Sequence, residues 1–156
     1  MLRHPPDCTL ASSERCGIWM GSEVLKLIPY LFVALGGAIG SVGRYWTGLV
    51  VARAWGDAFP WGTLLINVLG SFVIGFFATL TLPDGPLPAD ANVRIFVMVG
   101  LCGGYTTFSS FSLQTLALIK AGDWPGAIGN AVLSVLLCMT AVAIGSALAG
   151  RMGVVR

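Results

Sequence analysis

Charge is the scarcest property of this 156-residue sequence: nine Lys and Arg and seven Asp and Glu make up 10% of it, against 56% hydrophobic residues. Soluble domains carry roughly 25% charged residues, so water is excluded as the main solvent. The one His, His4, leaves metal catalysis almost without ligands. The four Cys match no zinc spacing. Cys8 and Cys16 fall in the N-terminal region, and Cys102 and Cys138 sit in apolar runs, where they read as small packing residues. There is no GxxxxGK[ST] sequence and no nucleophile beside a base. No nucleotide, no nucleic-acid partner and no enzymatic activity are therefore expected.

What the sequence has in quantity is apolar length. Four stretches with no charge or one, approximately Leu27–Val51, Trp61–Leu82, Val93–Ile119 and Trp124–Gly150, are about as long as a bilayer is thick. A soluble helical bundle needs a polar face on each helix, and segments such as Leu64–Leu80 offer none. Trp46, Trp55, Trp61 and Trp124 fall near the stretch ends, where amphipathic rings sit at headgroup level. The predicted fold class is therefore all-α and integral to a membrane, with four transmembrane helices per subunit in residues 23–156. Residues 1–22 have no periodicity and no apolar core of a signal peptide. They read as a disordered N-terminal extension or, with Met20 just ahead of the first stretch, an over-extended reading frame.

Four spans put both chain ends on one side. Lys26, Arg94, Arg151 and Arg156 then face Arg44, Arg53 and Lys120, four against three. The positive-inside rule works through a clear excess. A chain so balanced is compatible with insertion both ways and with pairing as an antiparallel dimer.

No carboxylate is left for the membrane interior, since all seven acids lie in the N-terminal region, at stretch ends or in loops. That counts against cation pumps and proton-coupled exporters, which need a buried acid to hold a proton or cation. Arg44 is the one charge within a span, four residues beyond Gly40 and eight beyond Gly36 on a small-residue face. It reads either as an interfacial anchor or as a positive charge at a pore vestibule. The remaining interior groups are neutral. Thr63, Asn67 and Ser71 recur at steps of four, as do Asn130, Ser134 and Cys138. Such groups often only tie helices together, at roughly 0.5 to 2 kcal/mol each; two aligned stripes beside a polar third span suggest a lined path.

The third span carries Gly103, Gly104, Tyr105, Thr106, Thr107, Phe108, Ser109, Ser110, Phe111 and Ser112 in unbroken succession. Paired Gly followed by paired Thr favours a break in the helix, tolerated at mid-membrane only where protein, ion or water satisfies the backbone. Carbonyls freed near Gly103 and Thr106 suit a small hard cation such as sodium. A second half-helix beginning near Thr107 points its positive end inward. Phe108 and Phe111 share a face, and aromatic edges carry positive partial charge.

The run GGYTTFSSFS, with GGAIGSVGRY (Gly36–Tyr45) and WGTLLINVLGSFVIG (Trp61–Gly75), resembles the Fluc/CrcB fluoride channels in content and order. The resemblance implies an antiparallel, dual-topology homodimer with a broken third helix, two fluoride pores and one structural sodium ion held by the carbonyls of Gly103 and Thr106. It places Asn67, Phe108, Phe111, Ser110, Thr107 and Thr63 along the fluoride pore and Arg44 at its vestibule. A further polar track would take in Gln114, Asn130 and Ser134. Gln114 stands where relatives often carry Glu. The implied activity is passive fluoride export across a bacterial inner membrane. The alternatives are a small multidrug-type transporter, which would need a Glu that Leu27–Val50 lacks, and a non-conducting structural subunit.

Overall fold

The computed structural model describes the backbone of residues 13–154 and the side chains of residues 27–153. Residues 1–12 of the expected extension and Arg156 lie outside the described residues. Every regular element is helical: α1 (Ser13–Trp55), α2 (Trp61–Leu80), α3 (Ala91–Arg94), a π-helical stretch (Ile95–Cys102), α4 (Gly103–Tyr105), α5 (Phe108–Lys120) and α6 (Trp124–Val154). The backbone of α1 thus begins within residues 1–22. Four helical lengths are long and apolar enough to cross a membrane: Leu27–Trp55, Trp61–Leu80, Ala91–Lys120 and Trp124–Gly153. Tyr30, Val42, Leu113 and Met139 are among the large apolar side chains left exposed, as expected where lipid rather than water is the neighbour.

The turns follow from local chemistry. Gly122 takes a φ of 79°, its N–H donates to Ile119 C=O at 3.0 Å, and the Asp123 N–H donates to Leu118 C=O at 2.9 Å. These two bonds satisfy the last carbonyls of α5 in a Schellman motif. Asp123 then caps α6, its Oδ1 accepting from Gly126 N–H at 2.9 Å. Asp90 caps α3 in the same way, accepting from the N–H groups of Asn92 at 2.8 Å and Val93 at 3.0 Å.

α2 packs along α6, and α1 along the π-helical stretch and α4. Glycine lets these backbones meet. A Cβ on Gly75 would strike Val142 C=O, and one on Gly145 would strike Phe72 C=O. On the other seam a Cβ on Gly100 would lie 2.9 Å from Gly36 Cα. With no water to drive helices together, such close approach is the main source of cohesion.

Arg94 supplies a second kind of contact. Its Nη1 donates to Thr81 C=O at 2.7 Å, to Thr81 Oγ1, and more distantly to Ala78 C=O at 3.4 Å. A cation thereby sits on the negative end of α2 and satisfies carbonyls the helix cannot, beside a Thr81 only 1% exposed. Arg94→Met leaves those acceptors unpaired. It is expected to lower stability by about 1–3 kcal/mol, with Arg94→Lys recovering part of the loss, as read by thermal unfolding in detergent. Equal melting of all three proteins would show that the cap contributes nothing.

Candidate ion pathway

Inside the third span the chain leaves the helix at two residues. Thr106 has φ −77° and ψ 157°, and Thr107 has φ −152° and ψ 112°. Helix persists through the glycine pair to Tyr105 and resumes at Phe108. Thr106 still turns back, its N–H and its Oγ1 each donating to Cys102 C=O at 2.9 Å. Thr107 faces forward and caps α5, its Oγ1 accepting from Ser110 N–H at 3.1 Å. Hydroxyl contacts of 3.1 Å join the same Thr107 oxygen to Ser109 Oγ and Ser110 Oγ, so Ser110 sits within this cap.

The backbone N–H and C=O of Thr107 both pair with α2. Asn67 Oδ1 accepts from Thr107 N–H at 2.8 Å, and Asn67 Nδ2 donates to Thr107 C=O at 3.1 Å. With Thr107 N–H turned to Asn67 and Thr106 N–H to Cys102, the carbonyl of Gly103 receives no backbone donor from either. The carbonyl of Thr106 likewise has no donor among the described residues. Gly103 is also exposed.

A cavity of about 410 Å³ opens here, its walls including Asn67, Ser71, Gly103, Thr106, Thr107, Phe108, Phe111 and Ser134. Neither a carboxylate nor a cationic side chain lines it. Phe108 and Phe111 stand together, ring centroids 5.2 Å apart and planes at 43°, and Phe108 is 78% exposed. Ser134 is buried and its Oγ has no partner among the described residues. Asn130, 1% exposed, donates from Nδ2 to Thr115 Oγ1 at 2.8 Å. Thr115 Oγ1 in turn donates to Phe111 C=O at 2.7 Å, so α6 steadies the helix that carries the ring pair.

A family model described as CrcB-like protein, Camphor Resistance (CrcB), matches residues 31–146, a stretch that contains the helix interruption and every wall of this cavity. The chain belongs to the CrcB family. Among its relatives, a protein of Opitutus terrae named Fluoride-specific ion channel FluC is 60% identical over 116 residues, covering 74% of this chain and 88% of the relative. One of Rhodospirillum rubrum with the same name is 59% identical over 118 residues, covering 76% and 92%. A third, of Paramagnetospirillum magneticum and also so named, is 56% identical over 119 residues, covering 76% and 93%.

The remaining polar residues of this CrcB chain are distributed elsewhere. Thr63 and Gln114 line a different cavity, of about 600 Å³, together with Gly48, Asp57, Gly62 and Ala121. Thr63 is buried, and Gln114 Oε1 has no partner among the described residues. Arg44 is half-buried on α1 and lines neither cavity. Sequence spacing missed the Asn67–Thr107 pairing, because a stripe of polar residues does not say which backbone it meets.

Proposed function

We propose that this chain is a fluoride-specific channel that lets the anion leave the cell passively. Inside a membrane, a cavity walled by neutral hydrogen-bonding groups and two phenylalanine edges can replace the water around a small anion without trapping it. That lining, with no fixed charge of either sign, carries the reading; the naming of relatives up to 60% identical supports it. Fluoride that enters as neutral HF ionises in the less acidic cytoplasm. An inside-negative potential then drives it out at about 2.3 kcal/mol per 100 mV.

The finer reading is an antiparallel, dual-topology homodimer in a bacterial inner membrane, its third helices broken at Thr106 and Thr107 and facing each other. The carbonyls of Gly103 and Thr106, without in-chain donors, fit a hard cation, which takes oxygen ligands. They would hold a structural sodium between two subunits. Bound there, sodium would supply positive charge near the midplane. Thr107 and Asn67 orient the backbone around that point, and Phe108, Phe111, Asn67 and Ser134 line the anion's way past it. Arg44 would serve the vestibule through the partner subunit's side of the dimer.

The test is fluoride release from liposomes holding the purified protein, followed with a fluoride electrode after a potassium ionophore is added, beside chloride-loaded controls. Release of fluoride with chloride retained is the expected result. Monodisperse, reconstituted protein that releases neither ion would sink the channel reading and leave a non-conducting subunit.

A further inference from the structure

Asn67 makes both of its hydrogen bonds among the described residues with the backbone of a single residue, Thr107. In an uninterrupted α-helix the Thr107 N–H would donate to Gly103 C=O, and Thr107 C=O would accept from Phe111 N–H. Asn67 occupies both positions. We propose that Asn67 is a positioning residue: by pairing with both the N–H and the C=O of Thr107 it holds the third span out of helix, and it keeps the Gly103 carbonyl free of the donor a continuous helix would give it.

The physical reason lies in the solvent. Extended backbone inside a bilayer survives only if its polar groups find partners in the protein or in a wet cavity. The Thr106 N–H meets that need through Cys102 and both Thr107 backbone groups through Asn67. The Thr106 carbonyl has no donor among the described residues, and Thr106 lines the cavity. Without the carboxamide, the nearest backbone partner for Thr107 N–H is Gly103 C=O four residues back, and forming that bond carries Thr106 and Thr107 into helix. The interruption is thus maintained by a side chain on α2 rather than by the glycine pair, which is itself helical. What the open carbonyl is for rests on the channel reading, whereas the backbone claim does not.

Thr106–Thr107 is the sequence's one Thr-Thr pair. Protein grown with carbonyl-¹³C threonine and ¹⁵N threonine therefore gives one carbonyl–nitrogen correlation in solid-state NMR of the bilayer-reconstituted channel. In the wild type, the Thr106 carbonyl shift is expected in the extended range. In Asn67→Leu, which matches the size without the hydrogen bonds, it moves into the helical range.

Asn67→Asp separates the two bonds. A neutral carboxylic acid donates and accepts like the carboxamide, while a carboxylate cannot donate to Thr107 C=O. Both forms of the Asp side chain still accept from Thr107 N–H, so the Thr106 shift is expected to stay extended at every pH, with only the bond to Thr107 C=O lost as pH rises. No carboxylate, Lys, Arg or His lines the cavity, and the Cys102 and Cys138 thiols are common to the wild-type control.

A Thr106 shift that stays extended in the Leu variant overturns the proposal. If the Leu variant fails to fold, Asn67→Ala, which lacks both bonds as well, is read in its place, and an extended shift there overturns the proposal. Fluoride release measured in parallel separates the two readings. Flux lost with the shift unmoved means that Asn67 acts on the ion itself and not on the backbone. Shifts that behave as expected in a wild type that passes no fluoride uphold the positioning role and refute the channel.

Discussion

Phe108→Ile is expected to slow fluoride release from liposomes by about two- to tenfold, with chloride still retained. Isoleucine keeps an apolar side chain of moderate size at the cavity wall but has no ring quadrupole, so the change removes the positive edge rather than the surface. Edge contacts of this kind contribute about 0.5–1.5 kcal/mol, and 1.4 kcal/mol in a barrier is about a factor of ten. Phe108 is 78% exposed in the subunit, so little packing is lost and the variant should elute and melt like the wild type. Its ring lies 5.2 Å from that of Phe111, and a Phe111→Ile change is expected to be non-additive with it. An isoleucine variant that releases fluoride at the wild-type rate would remove the aromatic edge from the mechanism.

Gly40→Ala is expected to be strongly destabilising, and Gly37→Ala nearly silent. The new Cβ on residue 40 would strike Leu101 C=O and come within 2.8 Å of Tyr105 N and 3.1 Å of Gly104 C. All three are backbone atoms, which cannot turn aside as a side chain does. At residue 37 a Cβ meets nothing within 4 Å. Overpacking alone costs about 1–3 kcal/mol, and a clash with backbone at the seam between α1 and α4 belongs at or beyond the top of that range. Unfolding in a graded detergent series, with the two alanine variants side by side, measures the difference. Equal stability of the pair would mean that the two spans do not meet as closely as described.

The four spans were legible because bilayer thickness converts directly into run length: the apolar stretches read from the sequence begin and end within a few residues of the four membrane-length segments, although the backbone of α1 starts well before the first of them, at Ser13. The family was legible from three local blocks, all falling inside residues 31–146. Contacts that depend on where one helix meets another were not. Arg94 read as one of several loop charges, since nothing near it in the sequence reveals that its guanidinium reaches the end of α2. The stripe of Thr63, Asn67 and Ser71 read as one surface. Eight residues of helix rise about 12 Å, and over that height the walls change: Asn67 and Ser71 face one cavity and Thr63 another. The departure from helix near Gly103 and Gly104 was expected from propensity. Glycine permits a break without requiring one, and the extended residues are the two threonines, whose backbone finds partners in Cys102 and Asn67. The π-helical turns of Ile95–Cys102 left no mark in a uniformly apolar run.

The pairing of Asn67 with Thr107 also has an order in time. Asn67 precedes its partner by forty residues, so α2 leaves the ribosome and enters the bilayer before the third span is synthesised. When Thr107 reaches the hydrocarbon, its amide and carbonyl arrive where a matching carboxamide is already installed. With the helices in the reverse order, the third span would have only its own helix to pair with until the carboxamide arrived. The order along the chain lets the two threonines meet Asn67 before they settle as continuous helix.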